Sequence, residues 1–85
     1  MSIELLYFAW VRERVGLDRE EVDVPDGIED VAALVGWLAA RGGGWRQALG
    51  DLSRLRYAAD EAFVGADHPL AGVRELAIFP PVTGG

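Results

Sequence analysis

The sequence predicts an α+β domain of two layers, a mixed sheet with one main helix packed across one face. Three observations carry this prediction. Short strand-like segments stand at Ile3–Ala9, Glu20–Val24, Leu55–Ala59, Ala62–Val64 and Arg74–Phe79. One long stretch, Asp26 to Arg41, repeats apolar residues every three or four positions. The order is strand, strand, helix, short strands, final strand, which suits a helix folded back over a sheet.

The first strand alternates Ile3, Leu5 and Tyr7 on one face with Glu4, Leu6 and Phe8 on the other. A face open to water should be polar, so Leu6 and Phe8 beside Glu4 point to a surface that something else covers. Trp10–Val15 reads as a short helical turn closed by Gly16. Glu20–Val24 is the second strand, too far from the first for a tight hairpin. Asp26-Gly27-Ile28-Glu29 has the spacing of a capping box and sets the expected start of the main helix. Ile28, Val31, Leu34, Val35 and Leu38 then form its apolar stripe, and Arg41 followed by Gly42-Gly43-Gly44 marks its end. Trp45–Leu49 is a further short turn, with Trp45 a lid on the edge of the core. Asp67-His68-Pro69-Leu70 is a turn before the last strand. In that strand Leu76 and Ile78 face inward, while Glu75, Ala77 and Phe79 face outward. Two outward phenylalanines, Phe8 and Phe79, on two strands suggest a docking patch.

The domain is expected over residues 1–79, and residues 80–85 form an extended, flexible C-terminal tail ending in Gly-Gly. Pro80 and Pro81 fix φ and offer no N–H, so they end sheet pairing and direct the chain outward. Gly84 and Gly85 carry no Cβ and can enter a channel too narrow for any side chain, with the carboxylate at its far end. The active group expected of this chain is therefore the end of its backbone.

With 85 residues, 51% hydrophobic and 26% charged, the chain can build one small core and no second domain. Little room is left for a deep internal active site, so function is expected on the surface or at a terminus. No leader or membrane span is expected, which makes the cytoplasm the default location. A net charge of −6 argues against nucleic acid as a partner. All eight basic residues are Arg and none is Lys, which excludes a lysine Schiff base, a P-loop lysine and isopeptide bonds to this chain's side chains. The absence of Cys removes disulfides, thiolate metal sites and thiol nucleophiles.

Internal chemistry is poorly supported. His68 is the single histidine and sits in a turn, where a structural role is expected. Glu20-Glu21-Asp23 and Glu29-Asp30 read as solvated faces and helix-start charges, and no metal site is expected. Gly42–Gly44 follows a helix and lacks a phosphate-binding lysine, and Ser2 and Ser53 have no paired base.

The chain resembles the small subunit of molybdopterin synthase, a ubiquitin-like β-grasp sulfur carrier, over essentially its whole length. The resemblance rests on Leu6-Tyr7-Phe8-Ala9 with Val11-Arg12-Glu13, on Val64–Leu70, and above all on Phe79-Pro80-Pro81-Val82-Thr83-Gly84-Gly85. Asp60 replaces a usual Asn, and Ala71-Gly72-Val73-Arg74 replaces an Asp-Gly-Asp type of turn. The resemblance implies that an E1-like adenylating enzyme joins the Gly85 carboxylate to AMP from ATP, and that a persulfide donor then leaves a Gly85 thiocarboxylate. It implies that Pro80, Pro81, Val82, Thr83 and Gly84 thread this sulfur into the large subunit, in a heterotetramer, where a cyclic pyranopterin precursor takes it up. Catalytic residues would belong to the large subunit, and this chain would bind no cofactor of its own. Face alternation and the resemblance together place the partner interface on Phe8, Phe63 and Phe79, with Leu6 and Arg12 at its edge. The rival readings are a ubiquitin-like modifier joined to target lysines, a thiamine-type sulfur carrier, and a purely structural interaction domain.

Overall fold

The computed structural model describes residues 1–81, and the tail residues 82–85 lie outside that range. Five strands, β1 (Ser2–Tyr7), β2 (Arg19–Asp23), β3 (Arg56–Ala59), β4 (Ala62–Val64) and β5 (Glu75–Phe79), form one sheet in the order β2-β1-β5-β3-β4. The central pair β1 and β5 is parallel and every other pair antiparallel, so the sheet is mixed as expected. Three helices, α1 (Ala9–Val15), α2 (Val31–Ala39) and α3 (Gly43–Leu49), and a 3₁₀ turn at Leu52–Arg54 complete the chain.

The period-2 pattern sets the core. Ile3, Leu5 and Tyr7 from β1, Leu76 and Ile78 from β5, and Tyr57 and Ala59 from β3 are all buried. They pack with Val31, Leu34, Val35 and Leu38 of α2, the stripe read from the sequence, in one cluster. Ile28 and Trp45 pack on the edge of this cluster, half-buried. Each fully buried aliphatic side chain here contributes about 1.5–3 kcal/mol of transfer free energy.

Two boundaries differ from expectation. The main helix starts at Val31, capped by Asp30, whose carboxylate accepts the Ala33 N–H at 2.8 Å. Asp26–Ile28 is instead a tight turn, with Gly27 at φ 91 and the Ile28 N–H on the Pro25 carbonyl. Tertiary contacts decide the start: Leu70 N–H bonds to Glu29, and the Val31 and Ala32 N–H groups bond to the His68 and Ala66 carbonyls. The 66–70 segment thus supplies acceptors that would otherwise be missing at the helix start. His68 takes part through its backbone, its carbonyl accepting the Val31 N–H.

The glycine run is the second difference. Helix α2 ends at Ala39, but Gly43 and Gly44 belong to α3. A Cβ at Gly44 would fall 1.9 Å from the Arg14 carbonyl oxygen, so this glycine lets α3 lie against α1. The hairpin between β3 and β4 turns through Asp60 and Glu61, both at positive φ (48 and 73), a type I′-like geometry that an Asp tolerates. Its carboxylate accepts the Arg74 and Glu75 N–H groups at 3.1 and 3.0 Å, tying the turn to the start of β5. Asp60 therefore does the work of the turn in place of the Asn that the resemblance would supply.

Candidate functional site: an apolar face at the root of the tail

The outward positions of the sheet are fixed by register. Leu6 stands beside Ala77, Ala77 beside Ala58, and Ala58 beside Phe63, forming a row across β1, β5, β3 and β4. The two alanines at its centre are smaller than the residues at its ends. One step toward the tail, Phe79 of β5 pairs with Arg56 of β3. The Phe79 and Phe63 rings lie 5.9 Å apart, tilted by 53°, a favourable aromatic geometry. Phe63 is 85% exposed and Phe8 45%, while Leu6 and Phe79 are half-buried.

Phe8 lies just beyond β1 and N-caps α1, its N–H bonded to the Ile78 carbonyl at 3.3 Å, so the strand expected to run to Ala9 stops at Tyr7. Ala9, next to it, has φ 53, a left-handed conformation costly for a residue with a Cβ. That kink keeps Phe8 beside the end of β5. Arg12, exposed, stands one helical turn further on, its N–H on the Phe8 carbonyl. Leu6, Phe63 and Phe79 thus share one sheet face, with Phe8 adjoining it and Arg12 at the helical margin.

The face has a charged boundary on the side away from the tail. Glu21, Glu4 and Glu75 are neighbours across β2, β1 and β5, and like charges so placed repel. Arg19 reaches Glu4 at 3.7 Å between exposed side chains, a contact of small worth. The sheet face is therefore acidic at the end away from the tail, and toward the tail it is apolar with Arg56 beside Phe79 and Arg19 beside Leu6. Pro80 and Pro81, half-buried, leave β5 directly from the apolar part. Val82, Thr83, Gly84 and Gly85 lie outside the described residues.

One carboxylate was misread from the sequence. Glu20 is paired with Leu5 and so points into the layer between sheet and helices. It accepts the Tyr7 hydroxyl at 2.9 Å, the Trp45 Nε1–H at 3.3 Å and Arg41 Nη1 at 3.0 Å, and its side chain is 17% exposed. The Arg41 guanidinium lies over both Trp37 and Trp45, at 5.3 and 5.0 Å from the ring centroids. Burial, and then the Glu20 carboxylate, push the Tyr7 hydroxyl well above the ordinary tyrosine range. A glutamate in an alternating strand next to Val22 was the available signal. Asp51 is held below the usual carboxylate range because Ser53 donates to it through its hydroxyl (2.6 Å) and its N–H (3.0 Å). Among the described residues no three His, Asp or Glu side chains gather as a metal site, and no helix is long and apolar enough to cross a membrane.

A five-stranded mixed sheet closed over a main helix, with an outward apolar face leading into the C-terminal segment, defines a ubiquitin-like β-grasp protein. The chain belongs to the ThiS family, whose model matches residues 5–85. It is 46% identical over 85 residues to the molybdopterin synthase sulfur carrier subunit of Escherichia coli (strain K12), covering 98% of this chain and 99% of that one. It is 31% identical over 83 residues to the protein of the same name from Haemophilus influenzae, again covering 98% and 99%. Among solved structures it is similar to the small archaeal modifier protein 1 of H. volcanii, with a TM-score of 0.60, 30% identity, and 95% and 98% of the two chains covered.

Proposed function

We propose that this chain is the sulfur carrier of molybdopterin synthesis, acting through a thiocarboxylate on Gly85. The observation that carries the reading is the continuity of the apolar face with the root of the Pro80–Gly85 segment, in a chain 46% identical to a molybdopterin synthase sulfur carrier subunit. A carboxylate is a poor electrophile, so an E1-like enzyme first joins Gly85 to AMP, releasing pyrophosphate from ATP. A persulfide sulfur then attacks the acyl carbon, AMP leaves, and a thiol cleaves the resulting acyl disulfide to free the thiocarboxylate. Pro80 to Gly84 carry it into the large subunit, in a heterotetramer, where its sulfur is transferred to the cyclic pyranopterin precursor. Two deliveries complete a dithiolene. The chain is not an enzyme on its own, binds no cofactor, and works in the cytoplasm where ATP is available.

Docking falls to Phe8, Phe63, Phe79 and Leu6, with Arg12 at the margin. The division of labour is physical: a face that buries apolar area supplies affinity, and a side-chain-free terminus supplies reach.

The test is the intact mass of the chain after incubation with its adenylating enzyme, ATP and a persulfide donor. Replacement of one oxygen by sulfur, abolished by deletion of Gly85, is the expected result. An unchanged mass, with an enzyme shown to act on another carrier, refutes it. The similarity to a small archaeal modifier protein favours one second reading, conjugation of Gly85 to target lysines. A ladder of covalent adducts in cell extract, absent after deletion of Gly85, would identify that role.

A further inference from the structure

Among the described residues, three other than glycine hold a positive φ: Ala9, Asp60 and Glu61. Asp60 and Glu61 form the turn between β3 and β4, which requires it. Ala9 has no such turn, and it lacks the polar side chain that lets Asn or Asp settle in the left-handed region. Its φ of 53 is held from both sides. Upstream, the Tyr7 N–H bonds to the Asp18 carbonyl at 2.9 Å and the Phe8 N–H to the Ile78 carbonyl at 3.3 Å. Downstream, the Phe8 carbonyl accepts the Val11 and Arg12 N–H groups at 3.1 and 3.3 Å, and Val11 is fully buried. Trp10 packs on the edge of the core, and the Arg14 and Arg54 guanidiniums lie over its ring at 4.5 and 5.1 Å.

We propose that Ala9 is a positioning residue for partner recognition: its left-handed backbone sets the exposed Phe8 ring at the edge of the apolar face, in place before the partner arrives. The inference rests on the docking reading above. The end of the strand and the start of the helix are each fixed by their own bonds, and Ala9 is the joint between them. Returning Ala9 to the α or β region would swing one element against the other. Either the Phe8–Ile78 bond or the seating of Trp10 and Val11 would then give way.

Strain of this kind persists only where the surroundings over-determine it, and it gathers at functional sites. Folding meets its cost once, in the free chain, and binding then has less side-chain ordering to supply. The two neighbours divide the work: Trp10 anchors the helix start on the core, while Phe8 stays 45% exposed. Ala9 is itself exposed, so its methyl group offers the core no packing that would account for the conformation.

The experiment titrates variants of the full chain against the large subunit by calorimetry, with urea unfolding of each free chain. Ala9→Val, whose branched Cβ resists a positive φ, should weaken Kd at least about tenfold, and in a Phe8→Ala background by less than about twofold. Ala9→Thr repeats this cycle if Ala9→Val does not fold. Ala9→Asn brings bulk but tolerates the left-handed region, and should bind within about threefold of wild type. Ala9→Gly, which would cost stability in an ordinary helix, should leave the urea midpoint equal to or above wild type, because the Cβ strain is removed. Equal losses in both backgrounds, wild-type affinity in Ala9→Val, a loss in Ala9→Asn as large as in Ala9→Val, or a lowered midpoint in Ala9→Gly would each overturn the inference alone. A Phe8→Ala chain that binds as wild type does overturns the docking reading on which it rests.

Discussion

Truncating Phe63 to Ala should separate docking from folding. The side chain is 85% exposed, and an aromatic residue buries about 150–250 Å² when covered. Roughly 170 Å² is then available to a partner, an upper bound of about 4 kcal/mol at ~25 cal/mol per Å². Binding recovers only part of such a figure, because ordering the two surfaces costs free energy. A loss of about 2 kcal/mol, close to a 30-fold weaker Kd, is the expected effect on the large subunit. The free chain loses much less, since the aromatic contact it gives up is the tilted one with Phe79 at 5.9 Å. That contact is worth about 0.5–1.5 kcal/mol, so the free chain should lose about 1.5 kcal/mol of stability at most. Titration calorimetry against the large subunit gives the first number and urea unfolding the second. An unchanged Kd, for this variant and for Phe63→Ala with Phe79→Ala, would refute the docking face; a chain unfolded by Phe63→Ala would refute the reading of Phe63 as a surface residue.

Further consequences follow from the interior. Glu20→Ala strands the Tyr7 hydroxyl and the Trp45 N–H in a part-buried layer and frees Arg41, so a destabilisation of about 3 kcal/mol is expected by urea unfolding; a cost below about 1 kcal/mol would show the network to be solvated. Gly44→Ala should lower stability by at least about 2 kcal/mol despite the better helix propensity of Ala, because the new Cβ meets a backbone carbonyl at 1.9 Å. A melting temperature equal to or above wild type would contradict that packing. For alkaline pH the sign is set by the tyrosines. Burial raises both Tyr7 and Tyr57, with Glu20 adding to the rise at Tyr7, so the folded chain keeps protons that the unfolded chain releases near pH 10. Stability should be complete below about pH 10 and fall as the pH rises beyond it. With no Lys and no Cys in the chain, no other side chain titrates there, and a urea midpoint that stays flat or rises from pH 9 to 11 would refute the assignment.

Much of this protein is legible in its sequence because strand and helix periodicities are local. The alternation in Ile3–Tyr7 and Leu76–Ile78, and the stripe Val31, Leu34, Val35 and Leu38, directly name buried residues. The same alternation turns Leu6 and Phe79 outward. Composition sets the chemistry: without Lys or Cys, no amine or thiol side chain is available to act.

Tertiary structure decided what depends on residues distant in sequence. The start of α2 moved from Asp26 to Asp30 because the 66–70 segment supplies the acceptors for its first N–H groups. Glu20 became an interior acceptor because strand register aims it at Tyr7, Trp45 and Arg41, none of which is its neighbour in the chain. Gly44 is required by the approach of a helix thirty residues away, which no local pattern encodes. The apolar face proposed for docking exists only in the sheet, where pairing brings Leu6, Ala77, Ala58 and Phe63 into one row. Periodicity fixes which way a side chain points, but only strand order and register fix what stands beside it.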